Sequence, residues 1–246
     1  MKDVADKKET AGKKERTGGK KRDKFTEKIK SWKLYLLTES VLSPGISTFE
    51  VVKKAIKGGV GAVQLREKDM DIKERFYLGR KVRKLTEKNN VDFIVNDRVD
   101  LAMALDADGV HLGQEDFPPG EARKLLGDDK IIGLSASSPE QIENIKKDVV
   151  DYIGFGSVFA TKSKRVERER QSVGLKNLER AAQKSSVPLI AIGGISPENV
   201  SEVIGAGADG AAIISALTQA EDITGTAENM LNTVRNAEKS DRGKEE

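Results

Sequence analysis

Asp97 and Asp116 are the acids whose spacing first suggests chemistry. Residues 91–95 form an apolar run that ends in Asn96-Asp97, and residues 109–112 form a second that leads to Gln114-Glu115-Asp116. A strand, a short helical crossover and another strand make parallel neighbours whose C-terminal ends lie side by side. Both carboxylates would then leave at one rim. Hard oxygen ligands in that position suit Mg2+, which takes one or two carboxylates and completes its shell from water and substrate phosphates. The competing reading is that each aspartate only caps the helix that follows it.

Other polar groups fall at equivalent places. A second apolar run ends in Arg66-Glu67-Lys68, with Gln64 just inside, and later runs end at Ser135, at Gly193-Gly194 and at Ile214-Ser215. A charged stretch from 157 to 173 carries Thr161-Lys162-Ser163-Lys164 and is longer than most connections, as active-site lids tend to be. Lys164 is the residue there placed to close over a phosphate. The glycine pair together with Ile214-Ser215 is the pattern of a barrel phosphate site, in which backbone N–H groups and a helix start hold a dianion. His111 is the only histidine and lies inside its strand, before the rim. That position suits a hydrogen-bonded interior role better than a general base.

The elements that must position these groups alternate. Eight apolar strands, starting near residues 32, 61, 91, 109, 131, 152, 187 and 210, are separated by segments with helical apolar spacing. Ser47 and Asp71 are candidate N-caps, and Ser138-Pro139 and Ser196-Pro197 are cap-then-proline helix starts. Near-continuous apolar strands alternating with amphipathic helices predict a parallel sheet covered by helices. Eight such units in a chain of this length predict an α/β fold, a single (β/α)8 TIM barrel. A doubly wound sheet would usually carry a Gly-x-Gly-x-x-Gly turn after its first strand, and Thr38-Glu39-Ser40 has none. The phrase Ala-Asp-Gly precedes both the fourth and the eighth strand, as a device that ends a helix and starts a strand.

Composition bounds the rest. Residues 1–31 are rich in lysine and predict a disordered basic tail, residues 32–235 the barrel, and residues 236–246 a polar C-terminal tail. The net charge of +3 belongs to the first tail, so the folded part offers no basic surface for nucleic acid. There is no cysteine, which excludes disulfides, thiolate metal sites and cysteine nucleophiles. The chain has no apolar run long enough to span a bilayer and no secretory leader, so a cytoplasmic protein without a membrane partner is expected. The sequence leaves a homo-oligomer open.

Taken in order, these motifs resemble the thiamine-phosphate synthase family from about residue 33 to 235. The matching pieces are Gln64-Leu65-Arg66-Glu67-Lys68, Val95-Asn96-Asp97, residues 109–116, Gly133-Leu134-Ser135-Ala136, Thr161-Lys162-Ser163-Lys164, Ala191-Ile192-Gly193-Gly194-Ile195 and Ile214-Ser215-Ala216. The resemblance implies a Mg2+-dependent condensation of a hydroxymethylpyrimidine diphosphate with a thiazole phosphate, or its carboxylated precursor, to give thiamine phosphate and pyrophosphate. It implies that Asp97 and Asp116 hold Mg2+. It assigns the pyrimidine diphosphate to Gln64, Leu65, Arg66, Glu67, Lys68, Asn96, Ser135 and Lys164. It assigns the thiazole phosphate to Thr161, Lys162, Ser163, Gly194, Ile214 and Ser215. Arg66, Lys68, Ser135 and Lys164 are the expected catalytic contacts, by charge stabilisation rather than nucleophilic attack.

Two departures from the family pattern occur in one motif. Ala160 stands where a proline is common, and Ser163 replaces a threonine but keeps the hydroxyl. Three rival readings are a tautomerase of the same fold, another phosphate-binding barrel such as a sugar-phosphate isomerase or decarboxylase, and a non-catalytic barrel that binds thiamine phosphate. The tautomerase group often lacks the paired acids and places a histidine where this chain has Ser137.

Overall fold

A computed structural model describes residues 25–43, 45–143, 145–160 and 172–242. Eight parallel strands close in sequence order, β1 pairing with β8. They are β1 (Leu34–Leu37), β2 (Ala62–Leu65), β3 (Asp92–Asn96), β4 (Gly109–Leu112), β5 (Ile131–Ala136), β6 (Tyr152–Gly156), β7 (Leu189–Ile192) and β8 (Gly210–Ile213). The expected (β/α)8 barrel is therefore the fold. Helices α2 (Thr48–Lys57), α3 (Ile72–Lys88), α4 (Val99–Ala104), α5 (Pro119–Leu126), α6 (Pro139–Glu143), α7 (Gly174–Lys184), α8 (Val200–Gly205) and α9 (Ser215–Thr218) follow the strands in turn. Before β1 lies a short helix at residues 25–30, α1. A long helix, α10 (Ile223–Arg242), closes the described chain.

Side chains alternate between two cores, because successive Cβ atoms on a strand point to opposite faces. Leu34, Val63, Leu65, Phe93, Val95, Val110, Leu112, Ile132, Ile153, Phe155, Ala191 and Ile213 face outward, into the layer shared with the helices. Tyr35, Leu37, Ala62, Ile94, Ile131, Tyr152, Ile190 and Ala212 face inward and fill the barrel. Higher on the strands the inward positions turn polar: Gln64, Asn96, His111 and Ser135. The functional cleft begins at that change.

Local sequence explains how the helices begin and end. Ser47 caps α2 by accepting from the Glu50 N–H at 3.3 Å. Asp71 precedes α3 without a side-chain cap bond. The cap-then-proline reading fails at Ser196-Pro197. That segment forms a turn, closed by the Asn199 side chain accepting from the Ser196 N–H at 2.9 Å, and α8 starts only at Val200.

The Ala-Asp-Gly phrase has a structural cause. Asp108, just before β4, accepts from the Phe93 N–H of β3 at 2.8 Å. Asp209, just before β8, does the same for Leu189 of β7 at 2.9 Å. Asp151 repeats the contact between β6 and β5, accepting from Ile132 N–H at 2.8 Å. Each carboxylate satisfies a strand-start donor at the bottom of the barrel, and each has a cation beside it: Arg83, Lys30 and Arg123 respectively.

Both tail boundaries require correction. Residues 25–31 belong to the folded body: Ile29 is fully buried and, with Trp32, plugs the barrel floor beneath Tyr35 and Tyr152. Trp32 Nε1 donates to Asp92 Oδ2 at 2.7 Å, and the Lys28 ammonium sits 2.5 Å from the other oxygen of the same carboxylate. At the other end, α10 continues through residue 242, and Glu238 pairs with Lys33. Residues 1–24 and 243–246 lie outside the described residues. Ile29→Ala should thus cost about 2–4 kcal/mol by opening a cavity at the floor, read as a lower urea midpoint at unchanged slope. An unchanged midpoint would show that the floor does not depend on α1.

Candidate active site

The C-terminal mouth of the barrel opens into a cleft of about 700 Å3, a size that suits a small-molecule pair. Gln64, Arg66 and Lys68 line it from β2, Asn96 and Asp97 from β3, His111 and Asp116 from β4, and Ser135 from β5. Groups from four separate sequence motifs therefore share one space.

The two acids meet. Asp97 takes a left-handed backbone, φ 62°, a conformation that aspartate tolerates better than most residues. Its N–H donates to the His111 carbonyl at 2.8 Å, which carries the β3–β4 ladder one residue past the strand end. Asp97 and Asp116 both line the cleft, and Asp116 is near enough to act on the Asp97 acid. Asp116 is held from the other side, its Oδ2 accepting from the Gly113 N–H at 2.6 Å. Burial, and then the Asp116 carboxyl, raise the Asp97 acid above the usual carboxylate value, while Lys68 opposes the shift. The Lys68 ammonium stands 3.3 Å from Asp97.

This shift has a measurable sign. A carboxyl whose folded pKa exceeds its unfolded value binds more protons when folded, so it subtracts stability as pH rises from the unfolded pKa through the raised folded one. Asp97→Asn should remove that loss. Without divalent ions, the variant should melt at or above the parent at pH 7 and converge with it toward pH 4. A variant less stable at pH 7 would show that the Asp97 charge is favourably held.

The cationic wall rests on Glu39, a residue the motifs did not single out. Arg66 pairs with Glu39, and both are nearly buried. The Arg66 N–H donates to Thr38 Oγ1 at 3.0 Å, tying β2 to the end of β1. Burial lowers the guanidinium pKa, and the nearby Asp97, Glu67 and Asp69 oppose that shift.

Two expected contacts face elsewhere, for the reason that builds the barrel. Gln64 and Arg66 point inward, so Leu65 and Glu67 between and beside them point outward. Leu65 is fully buried in the outer core. Glu67 accepts from Ser40 N–H at 2.8 Å and Thr48 Oγ1 at 3.1 Å, which braces the start of α2 against the loop after β1. Neither lines the cleft. Lys164 and the phosphate-loop residues Thr161, Lys162 and Ser163 lie outside the described residues.

The other residues expected at the phosphate sit at the ends of two adjacent strands. Gly193 and Gly194 follow β7 with φ of 103° and 65°. A Cβ at Gly193 would overlap Ser157 after β6, and one at Gly194 would overlap Phe159 and the Ala160 carbonyl. Ile214 leads from β8 into α9, whose first N–H groups, starting at Ser215, have no intrahelical acceptor. Gly194, Ile214 and Ser215 thus belong to one corner of the mouth, although they do not line the deep cleft.

His111 is interior, as its place within the strand suggested, yet it reaches the cleft floor. Its Nε2 is 2.9 Å from Ser135 Oγ and its Nδ1 2.9 Å from the Tyr152 hydroxyl. Tyr35 and Tyr152 also line the cleft. The sequence motifs singled out neither. The available signal was their inward register on β1 and β6.

Comparison with known proteins agrees with this geometry. Residues 34–217 match the family profile described as "Thiamine monophosphate synthase". The chain belongs to that family. It is 47% identical over 198 residues to a thiamine-phosphate synthase of Haloarcula marismortui, covering 80% of this chain and 94% of that one. To a thiamine-phosphate synthase of Moorella thermoacetica it is 43% identical, covering 84% and 97%. The solved thiamine phosphate pyrophosphorylase from Pyrococcus furiosus superposes with a TM-score of 0.75 at 38% identity, covering 84% of this chain and 96% of that one. The protein is accordingly a transferase of thiamine biosynthesis with thiamine-phosphate synthase activity.

Proposed function

We propose that the cleft joins a pyrimidine carrying a diphosphomethyl group to a thiazole phosphate, or its carboxylated precursor, with release of pyrophosphate. The observation that carries this reading is the meeting of Asp97 and Asp116 beside Arg66 and Lys68 in one cleft. Two carboxylates alone leave a hard cation short of ligands. Among the described residues no third acid or histidine completes a cluster, so diphosphate oxygens and water would fill the rest of the shell, as Mg2+ prefers. The raised Asp97 acid and the Lys68 ammonium beside it mark a place where positive charge is favoured. Bound there by Asp97 and Asp116, Mg2+ would neutralise charge on the diphosphate and hold it in place.

The chain's own groups do the rest. Arg66 and Lys68 stabilise negative charge as the methylene C–O bond breaks and pyrophosphate takes the electron pair. The pyrimidine's amino group donates electrons toward the methylene, and the thiazole nitrogen then forms the new N–C bond. No protein nucleophile or general base is required, consistent with a lone histidine that lies at the floor. Gln64 Oε1 is buried without a partner among the described residues, an acceptor left for the pyrimidine's amino group. The corner formed by Gly194, Ile214 and Ser215, together with Thr161, Lys162 and Ser163, would hold the thiazole phosphate, and Lys164 would close over the diphosphate. Positioning both partners and excluding water are the main tasks.

Among the described residues no helix is long and apolar enough to cross a membrane. With no cysteine and a near-neutral folded body, we read the enzyme as cytoplasmic, with small-molecule partners and no nucleic-acid partner. The test is pyrophosphate release with each substrate and Mg2+ omitted in turn. Release should require all three. Activity without the thiazole phosphate would point to hydrolysis, and binding of thiamine phosphate without turnover to a non-catalytic barrel. The tautomerase alternative finds no support here, because Ser137 donates its N–H to Gln141 as part of a helix start and both acids are in place.

A further inference from the structure

Five polar side chains form a continuous chain of hydrogen bonds across the barrel floor. Gln64 Nε2 lies 2.7 Å from the Tyr35 hydroxyl, which lies 3.0 Å from the Tyr152 hydroxyl. Tyr152 continues to His111 Nδ1 at 2.9 Å, and His111 Nε2 to Ser135 Oγ at 2.9 Å. The residues come from β2, β1, β6, β4 and β5. Space for the two rings is built in: a Cβ at Gly133 would overlap Tyr152 and His111, and one at Gly154 would meet His111.

Such a chain has a direction. Each phenol carries one proton, and burial raises both phenol pKa values, so both stay neutral. An amide NH2 can only donate and an amide oxygen can only accept. If Gln64 donates to Tyr35 and each phenol proton is used within the chain, then Tyr35 donates to Tyr152, Tyr152 to His111 Nδ1, and His111 Nε2–H to Ser135. Ser135 is then left with its own O–H to give to a ligand, and Gln64 with its carbonyl oxygen. Turning the Gln64 amide over reverses every bond: His111 carries its proton on Nδ1, Ser135 offers only lone pairs, and Gln64 offers N–H.

We propose that the chain runs from Gln64 to Ser135, so that a neutral His111 in its Nε2–H form sets the cleft floor to accept a ligand amine at Gln64 and donate to a ligand oxyanion at Ser135. This inference rests on the reading given under Proposed function. A ligand with an amino group at one end and a diphosphate at the other matches this polarity and opposes the reverse one, in which N–H faces amine and lone pairs face oxyanion. The partnerless Gln64 Oε1 is the acceptor end of the same chain. Tyr35, Tyr152 and His111 are on this account positioning residues that act through Gln64 and Ser135.

The sequence makes the test direct, because His111 is the only histidine. Untagged full-length protein labelled with 15N-histidine should give one imidazole, with a pyridine-type Nδ1 and a pyrrole-type Nε2 at neutral pH. Tyr35→Phe, two hydrogen bonds away from the ring, should shift those signals toward a mixture of tautomers. Tyr152→Phe, which removes the bond to Nδ1, should do so more strongly. In turnover, each variant should raise the KM for the pyrimidine diphosphate by about tenfold and leave the KM for the thiazole phosphate unchanged. His111→Gln, which keeps a donor toward Ser135, should recover part of the loss that His111→Ala suffers. A pyrrole-type Nδ1, an imidazolium, or equal changes in both KM values would overturn the proposal. If the parent protein shows the expected tautomer but releases no pyrophosphate, the functional reading fails and the hydrogen-bond direction stands.

Discussion

Asp116→Ala should lower kcat/KM by about 10²- to 10³-fold, the range lost when one preorganised charge contact to a reacting group is removed. The physical reason is that among the described residues no third acid or histidine stands close enough to Asp97 and Asp116 to complete a metal cluster. Asp97 alone, already opposed by Lys68, would bind a cation weakly and would not orient the diphosphate. Far-UV circular dichroism should be unchanged, because Asp116 is exposed and is anchored locally, by the Gly113 N–H three residues away. Raising Mg2+ should recover part of the activity. Full activity in the variant at ordinary Mg2+ would remove the metal assignment and leave the cationic wall as the sole stabiliser of the leaving group.

The largest expected loss of stability lies at the opposite end of the barrel. Arg123→Ala should cost about 3–5 kcal/mol, typical of removing one partner from a buried charge pair. Arg123 projects from α5 beneath β5 and β6, nearly buried, and pairs with Asp151 at 2.5 Å. Its guanidinium also donates to the carbonyls of Gly127 at 2.8 Å, Lys130 at 2.6 Å and Val149 at 3.0 Å. Truncation would leave Asp151, which still accepts from Ile132 N–H, without its cation, and three carbonyls short of a donor. Urea denaturation followed by fluorescence of the single tryptophan, Trp32, checks this. Trp32 is itself part of the barrel floor. Asp151→Asn with Arg123 intact should cost less, because the amide oxygen can keep the Ile132 bond. A loss below about 1 kcal/mol for Arg123→Ala would mean that the loops relax to let water replace it.

These two sites show how unevenly the sequence carries information. Asp97, Asp116, Arg66 and Lys68 could be found because each follows an apolar run, and in a barrel every such run ends at the same mouth. The order of eight runs was enough to place them. The side chains of Leu65 and Glu67 leave the cleft because a motif is contiguous while a strand alternates: the neighbours of a cleft residue face the other core. Glu39 was missed because a single acid after β1 has no local mark of its role. It joins the cleft wall through Arg66, which comes from the next strand.

The floor was less legible still. Residues 25–31 read as tail because the stretch around them is rich in lysine. Burial there depends on Ile29 and Trp32 meeting Tyr35 and Tyr152, partners supplied by β1 and by the far side of the barrel. Nor does any spacing in the chain bring Gln64, Tyr35, Tyr152, His111 and Ser135 into one hydrogen-bonded line. That proximity follows from closing the sheet, with β1 beside β8 and the inward positions of opposite strands sharing one interior.

By itself the chain determined its alternation of strand and helix, the mouth at which its charges gather and the family to which it is similar, because these follow from local periodicity and from residues at strand ends. Tertiary structure alone decided which of two adjacent residues faces the cleft, that residues 25–31 pack beneath the barrel, and which polar groups touch across the floor. Those outcomes depend on contacts between residues distant in sequence, whose energies exist only once the barrel has closed.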